Sequence, residues 1–364
     1  MTDPVLVIDG LTVEFATGEG TVRAVRGISL ALAPEEVLGI VGESGSGKSV
    51  TALAAMGLLP KNARVTGSIT YAGRQLLGLK EKQLAEVRGV SIAMIFQDPM
   101  TSLNPVYTVG WQIAEAVRAH QDVSKDEAMA KAVDLLTLVG IPNATERARN
   151  YPHEFSGGMR QRVVIAVAMA NNPAVILADE PTTALDVTVQ AQVLGTLRKA
   201  LEETGASLLL ITHDLGVIAG LADRVLVMYA GRPVEIGTVD QLFYRPAMPY
   251  THGLLGSLPR LDAEGDDRLH QIPGSPPSLI GDGGGCPFAP RCPLRRDICD
   301  HEEPALRPVV YRRPEGAPAR PADDIDDVDD VGHVAACHFA DEVAAMPTAS
   351  MFPDSSADHE GVAP

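Results

Sequence analysis

The sequence predicts an α/β fold: a parallel-sheet core, an antiparallel β subdomain and a helical subdomain. Three observations point there. The short apolar run Val37, Leu38, Gly39, Ile40, Val41 ends in Gly42, and helical spacing follows over 49–56. A buried strand, a glycine loop and a helix in that order open a parallel α/β unit. Two further apolar runs, 174–178 and 207–212, are separated by a long helical stretch over 187–203, which repeats the pattern. Apolar residues make up 45% of the chain, enough for a sizeable core.

Taken in order, residues 5–8, 11–15 and 22–32 read as strands. They are rich in β-branched residues, with glycine-containing turns between them. Between about 98 and 160 the spacing is helical. Ser124 and Glu127 form a capping box, Ala128, Ala132, Leu135 and Val139 repeat on one face, and Gly140 with Pro142 stops the helix. Residues 225–229 and 233–236 read as a hairpin closing over Ala230, Gly231 and Arg232. Beyond 258 proline and glycine rise and periodicity fades. The expected division is therefore 1–258 as the main domain, 259–340 as a small extension holding the four cysteines, and 341–364 as an acidic, disordered tail. There is no internal repeat.

The net charge of −17 over 364 residues is unevenly spread. Eleven acidic residues and no Lys or Arg lie in 321–364, leaving −6 for the rest. A pI near 4.9 argues against nucleic acid as a partner, since phosphate-backbone binding needs a positive field. The longest unbroken apolar run, 163–170, is far short of the roughly 18–20 residues of a membrane span. No basic segment followed by an apolar one opens the chain, so a soluble, cytosolic protein is expected.

The stretch Gly42, Glu43, Ser44, Gly45, Ser46, Gly47, Lys48, Ser49 fits G-x-x-x-x-G-K-[ST], and Val50 continues into the helix. Consecutive backbone N–H groups can wrap phosphate oxygens there, because glycines permit the tight path and the helix N-terminus adds its dipole. Lys48 is placed to reach β and γ phosphates and the Ser49 hydroxyl to ligate Mg²⁺. A second run, 175–178, ends in Asp179 and Glu180. Alternation at a strand end predicts that the two carboxylates point apart. Asp179 would then hold Mg²⁺ through water, and Glu180 would activate the attacking water as general base. Ser156, ahead of Gly157, Gly158, Met159, Arg160 and Gln161, is a candidate N-cap that leaves a helix end open to an anion.

Ser156 to Gln161 just upstream of Asp179 and Glu180 resembles the signature of ATP-binding-cassette (ABC) ATPases. Four more features stand in that family's order: Gln97 after the apolar run 92–96, Pro181 after Glu180, Ala184-Leu185-Asp186 as the D-loop, and His213 after the strand 208–212. The resemblance implies an ABC-type P-loop ATPase that binds ATP and Mg²⁺. Gln97 would serve as a metal-contacting and catalytic residue, His213 as the γ-phosphate switch, and Phe15 as the aromatic on adenine. It also implies that two cassettes pair head to tail, so that the signature of one caps the ATP of the other.

The segment 97–105 (QDPMTSLNP), the run 249–255 (PYTHGLL) and residues 272–279 resemble the oligopeptide, dipeptide and nickel importers within that family. Met248 departs from the His common there. The implied function is to power peptide uptake from the cytoplasmic side of the membrane, with nickel or another solute as alternative cargo. The implied partners are a second ATPase subunit of the same or a related chain, two transmembrane permease subunits contacted around 97–105, and an extracytoplasmic substrate-binding protein. A soluble ABC ATPase acting on DNA or ribosomes is expected to show twin cassettes, coiled-coil arms or a basic surface. A nucleotide-sensing regulator has no need of an intact Glu180 and His213.

Cys286, Cys292, Cys299 and Cys337 are the only cysteines. Disulfides do not suit a cytosolic chain, and the spacing lacks the C-x₂₋₄-C pairs of zinc sites. Four thiolates with prolines beside two of them suit an iron–sulfur site. The resemblance implies a [4Fe–4S] cluster, which some peptide importers carry in this region; zinc and bare thiols remain open. His338 beside Cys337 reads as incidental.

Overall fold

A computed structural model describes residues 3–183, 185–258, 272–281, 284–311, 332–347 and 351–352. Two sheets organise it. The larger has eight strands in the order β11-β12-β10-β9-β3-β8-β7-β6, and the smaller has four in the order β2-β1-β4-β5. In chain order these are β1 (Leu6–Thr17), β2 (Gly20–Leu32), β3 (Val37–Val41), β4 (Ala63–Tyr71), β5 (Arg74–Gln75), β6 (Ile92–Ile95), β7 (Val175–Asp179), β8 (Ser207–Ile211), β9 (Arg224–Tyr229), β10 (Arg232–Thr238), β11 (Arg307–Pro308) and β12 (Val334–Ala335).

The five strands β9, β3, β8, β7 and β6 pair in parallel. Every residue of β3, β7 and β8 is buried, because helices and the second sheet cover both faces. Alternation sorts the side chains. Leu208 and Leu210 of β8, with Ile176 and Ala178 of β7, join the core beneath the helices. Leu209, Ile211, Val175 and Leu177 join the core shared with the helix Lys48–Ala55 and the antiparallel sheet. The helical part comprises Val109–Arg118, Lys125–Leu138 and Gly157–Ala168. In the second of these, Ser124 and Glu127 make the reciprocal capping bonds that the sequence predicts.

Three differences from the sequence reading have physical causes. The strands expected at 5–8 and 11–15 are one strand, β1, whose register shifts between Ile8 and Leu11 instead of turning. β4, not anticipated, pairs antiparallel with β1 across a long loop. The C-terminal extension builds directly on the larger sheet: β12 pairs with β10, and Phe288, Ala336 and Val343 enter the main core. The helix Ala340–Ala344 crosses the 340/341 division, with Val343 and Ala344 buried, Glu342 paired to Arg296 at 2.6 Å, and Asp341 accepting from Val310 N at 3.0 Å. Met351 and Phe352 are also buried, so these parts of the expected acidic tail are packed structure. The runs 321–331 and 353–364 lie outside the described residues. No helix among the described residues is long and apolar enough to cross a membrane.

Candidate nucleotide site

The parallel strands deliver the predicted residues to one edge, since β3, β6, β7 and β8 all end there. After β3 the chain turns through Gly42 (φ 150°), Gly45 (φ 79°) and Gly47 (φ 100°) into the helix Lys48–Ala55. Close approach, as well as conformation, requires two of these glycines. A Cβ at Gly42 would lie 2.2 Å from Met228 O, and one at Gly47 would lie 2.4 Å from Ala24 O. Ser46 is buried, and its hydroxyl has no hydrogen-bond partner among the described residues.

Lys48 is buried, and its ammonium donates to Gly42 O at 2.7 Å and Glu43 O at 2.9 Å. Burial lowers its pKa, against the opposing pull of Glu180, Asp179 and Glu43. Ser49 Oγ donates to Asp179 Oδ1 at 2.8 Å. Burial raises the Asp179 pKa, the Ser49 bond opposes the rise, and the Glu180 charge adds to it. A hydroxyl and a carboxylate side by side are suitable oxygen donors for a hard cation such as Mg²⁺.

Glu180 does not continue the strand alternation. It adopts φ 46°, a left-handed backbone costing on the order of 1–3 kcal/mol for a non-glycine residue, and its N–H donates to Ile211 O at 2.8 Å. The turn brings its carboxylate to three partners. Gln97 Nε2 donates to Oε2 at 3.1 Å, Thr183 Oγ1 donates to Oε2 at 2.7 Å, and His213 Nδ1 lies 3.4 Å from Oε1. Gln97, Glu180 and His213, from three different strand ends, thus meet at one carboxylate.

The signature residues form a separate feature. Ser156 Oγ accepts from Met159 N at 3.4 Å and caps the helix Gly157–Ala168. Gly157 is exposed, whereas Gly158 is buried against Val189, where an added Cβ would come within 2.2 Å of Cγ1. Gln161 is 1% exposed, and its Nε2 has no hydrogen-bond partner among the described residues. No described hydrogen bond or ion pair joins this segment to the phosphate loop. Asp186 caps the helix Val187–Thr204 by accepting from Val189 N at 3.0 Å, while Ala184 of the D-loop lies outside the described residues. Phe15 is half-buried on β1 and packs on the core beneath the antiparallel sheet; Val50 is half-buried against the same core.

Sequence reasoning missed what surrounds Glu43. Its N–H donates to the Tyr250 hydroxyl at 2.8 Å, and its carboxylate receives a two-point fork from Arg291. Burial works against the Arg291 charge, but the bonds to Glu43 and Tyr229 outweigh it and raise its pKa. Burial raises the pKa values of Tyr229 and Tyr250 as well. No linear spacing connects Glu43 to residues more than two hundred positions away.

Cys299 is buried, and Cys286, Cys292 and Cys337 are half-buried. Burial pushes up the thiol pKa values of Cys286, of Cys292 to about 11 and of Cys337 to about 12, and neighbouring thiols add to each shift. Cys286 N also donates to Cys299 O at 2.7 Å. The donor chemistry suits a cluster but the placement does not. Among the described residues no group of three or more His, Cys, Asp or Glu side chains is positioned to hold a metal ion.

Comparison with known proteins agrees with this geometry. Residues 25–183 match the ABC transporter family, and residues 234–299 match the oligopeptide/dipeptide transporter C-terminal region. The chain is 57% identical over 308 residues to the oligopeptide transport ATP-binding protein OppD of Mycobacterium tuberculosis, covering 84% of this chain and 50% of that one. It therefore spans about half the length of its mycobacterial relatives. It is 52% identical over 299 residues to OppD of Salmonella typhimurium (82% of this chain, 89% of that one). Against the dipeptide transport ATP-binding protein DppD of Bacillus subtilis it is 53% identical over 304 residues (83% and 90%). Among solved structures, the dimeric post-hydrolysis state of the ATP-binding cassette MJ0796 bound to ADP and Pi matches with a TM-score of 0.58 and 27% identity, covering 64% of this chain and 98% of that one.

Proposed function

The chain belongs to the ABC transporter ATP-binding proteins, in their oligopeptide/dipeptide branch, and we propose that it hydrolyses ATP to power peptide uptake through separate permease subunits. The observation that carries this reading is the meeting of Gln97, Thr183 and His213 on the Glu180 carboxylate beside the phosphate loop. On this reading the amides of 44–49 receive the β and γ phosphates, and Lys48 swings from the Gly42 and Glu43 carbonyls to meet them. Glu180 takes a proton from the attacking water, with Gln97 and His213 reporting the γ-phosphate. Ser49 and Asp179 are the residues to hold Mg²⁺, which neutralises charge on the phosphates when bound.

A second cassette seals the nucleotide. Support comes from the exposed, capped Ser156–Gly157 helix tip, which makes no bond to its own phosphate loop, and from the likeness to a cassette solved as a dimer. Two permease subunits supply the membrane path and an extracytoplasmic binding protein supplies substrate; the chain itself sits on the cytoplasmic face of the membrane. A groove of about 510 Å³ lined by Phe96, Thr101, Leu103, Ala116, His120 and Val164, beside the 97–105 segment, suits a permease loop. For the four cysteines the reading is a [4Fe–4S] cluster, supported by their donor chemistry alone. It requires the thiols to rearrange, since no three of them are grouped to hold a metal ion here. Iron and sulfide analysis of anaerobically prepared protein tests it, and a zinc-bearing or metal-free protein overturns it.

Glu180→Gln tests the enzymatic reading. The variant is expected to bind ATP, lose turnover by about 10²–10⁴-fold and accumulate as a closed cassette dimer. Unchanged turnover would remove Glu180 as the base.

A further inference from the structure

The phosphate loop and the C-terminal extension meet at Glu43. Arg291, in the turn Ala289–Arg291, is 7% exposed and commits its guanidinium to this junction. Nη1 donates to Glu43 Oε2 at 2.8 Å and Nη2 to Oε1 at 3.0 Å. Its remaining bonds run to Pro273 O at 2.9 Å, Ile272 O at 3.3 Å and the Tyr229 hydroxyl at 3.3 Å. Tyr250, in the helix Pro249–Gly256, takes the Glu43 N–H, so two segments beyond the cassette's last strands grip one residue of the loop. The third polar group of Glu43, its carbonyl, accepts from Lys48 Nζ at 2.9 Å and from Ser46 N at 3.2 Å. Lys48 must leave that carbonyl to reach a phosphate, so the position of Glu43 bears on how readily it leaves.

We propose that Arg291 is a positioning residue of the nucleotide site, holding the entry turn of the phosphate loop through Glu43 so that the C-terminal extension sets nucleotide affinity. The proposal rests on the ATP-binding reading above. Arg291 touches no substrate; it acts through a planar two-point fork that a lysine cannot reproduce. The Arg291 side chain is 6% exposed and the Glu43 side chain 25%, so breaking one partner leaves the other charge partly buried and uncompensated.

A double-mutant cycle on the full-length chain tests this. Arg291→Gln and Glu43→Gln are each expected to raise both the Kd and the KM for MgATP about tenfold, and Arg291→Gln, which lies outside the loop, to change kcat by no more than about twofold. The double variant should be no weaker than either single one. Arg291→Lys should recover only part of the loss. Tyr250→Phe, which deletes a single hydroxyl, should shift Kd in the same direction and serves if Arg291→Gln does not fold. Wild-type nucleotide affinity in Arg291→Gln and Tyr250→Phe, or strictly additive effects in the cycle, would overturn the proposal, even with a lowered melting temperature. A wild-type chain that binds no nucleotide would instead overturn the ATP reading.

Discussion

The Ser49 hydroxyl donates to the Asp179 carboxylate at 2.8 Å, tying the first turn of the helix behind the phosphate loop to the end of β7 across 130 positions of sequence. The contact holds two oxygens suited to a hard cation side by side. If Asp179 holds Mg²⁺ through water, Asp179→Asn should weaken the apparent Mg²⁺ affinity of ATP turnover by about 10–100-fold, as expected for a partner acting through bound water. A Mg²⁺ titration of ATPase activity at saturating ATP checks it.

The same carboxylate makes a prediction about pH. Burial raises the Asp179 pKa in the folded chain, so the folded state holds this proton more tightly than the unfolded state does. For a carboxyl group shifted upward, the penalty is absent below the ordinary aspartate value, grows as pH rises from there, and is complete above the folded pKa. Nucleotide-free Asp179→Asn should therefore melt higher than the parent protein near neutral pH, and the gap should close as the medium is acidified. Melting curves at several pH values read this directly.

Gly158 carries a structural demand as well as its place in the signature. An added methyl group would meet Val189 Cγ1 at 2.2 Å, on a β-branched side chain with little freedom to move. Gly158→Ala should lower stability by about 1–3 kcal/mol through overpacking. Adding Val189→Ala should return part of it, measured by denaturant unfolding.

The buried thiols should be sluggish nucleophiles. In metal-free protein at neutral pH, Cys292 and Cys337, with pKa values pushed up to about 11 and about 12, are almost wholly protonated. Alkylation by iodoacetamide should be slow, accelerate about tenfold per pH unit, and become fast on unfolding. Mass spectrometry of the labelled chain resolves each site.

Much of the site was legible because its residues lie at strand ends, where a local run of apolar residues announces the strand and the next few residues announce the chemistry. Gly42 to Ser49 after β3, Asp179 and Glu180 at the end of β7, and His213 after β8 are all of this kind. The Glu180 turn was not legible, because its left-handed backbone depends on Ile211 of the neighbouring strand. The sequence divides β1 because Asp9 and Gly10 have the composition of a turn, yet Asp9 pairs with Ser68 of β4 and pairing with both neighbours resumes beyond Gly10 after a register shift. Pairs such as Arg291 with Glu43 and β12 with β10 join distant segments, and nothing local in the sequence marks one partner for the other.

The central claim is that the loop from Gly42 to Ser49 holds the triphosphate of ATP. Equilibrium binding of MgATP to the purified chain, beside its Lys48→Ala variant, tests it most directly and does not depend on which cassette is the partner. Saturable binding by the parent chain and its loss in Lys48→Ala is the predicted result. No binding by either chain, or equal binding by both, would contradict it.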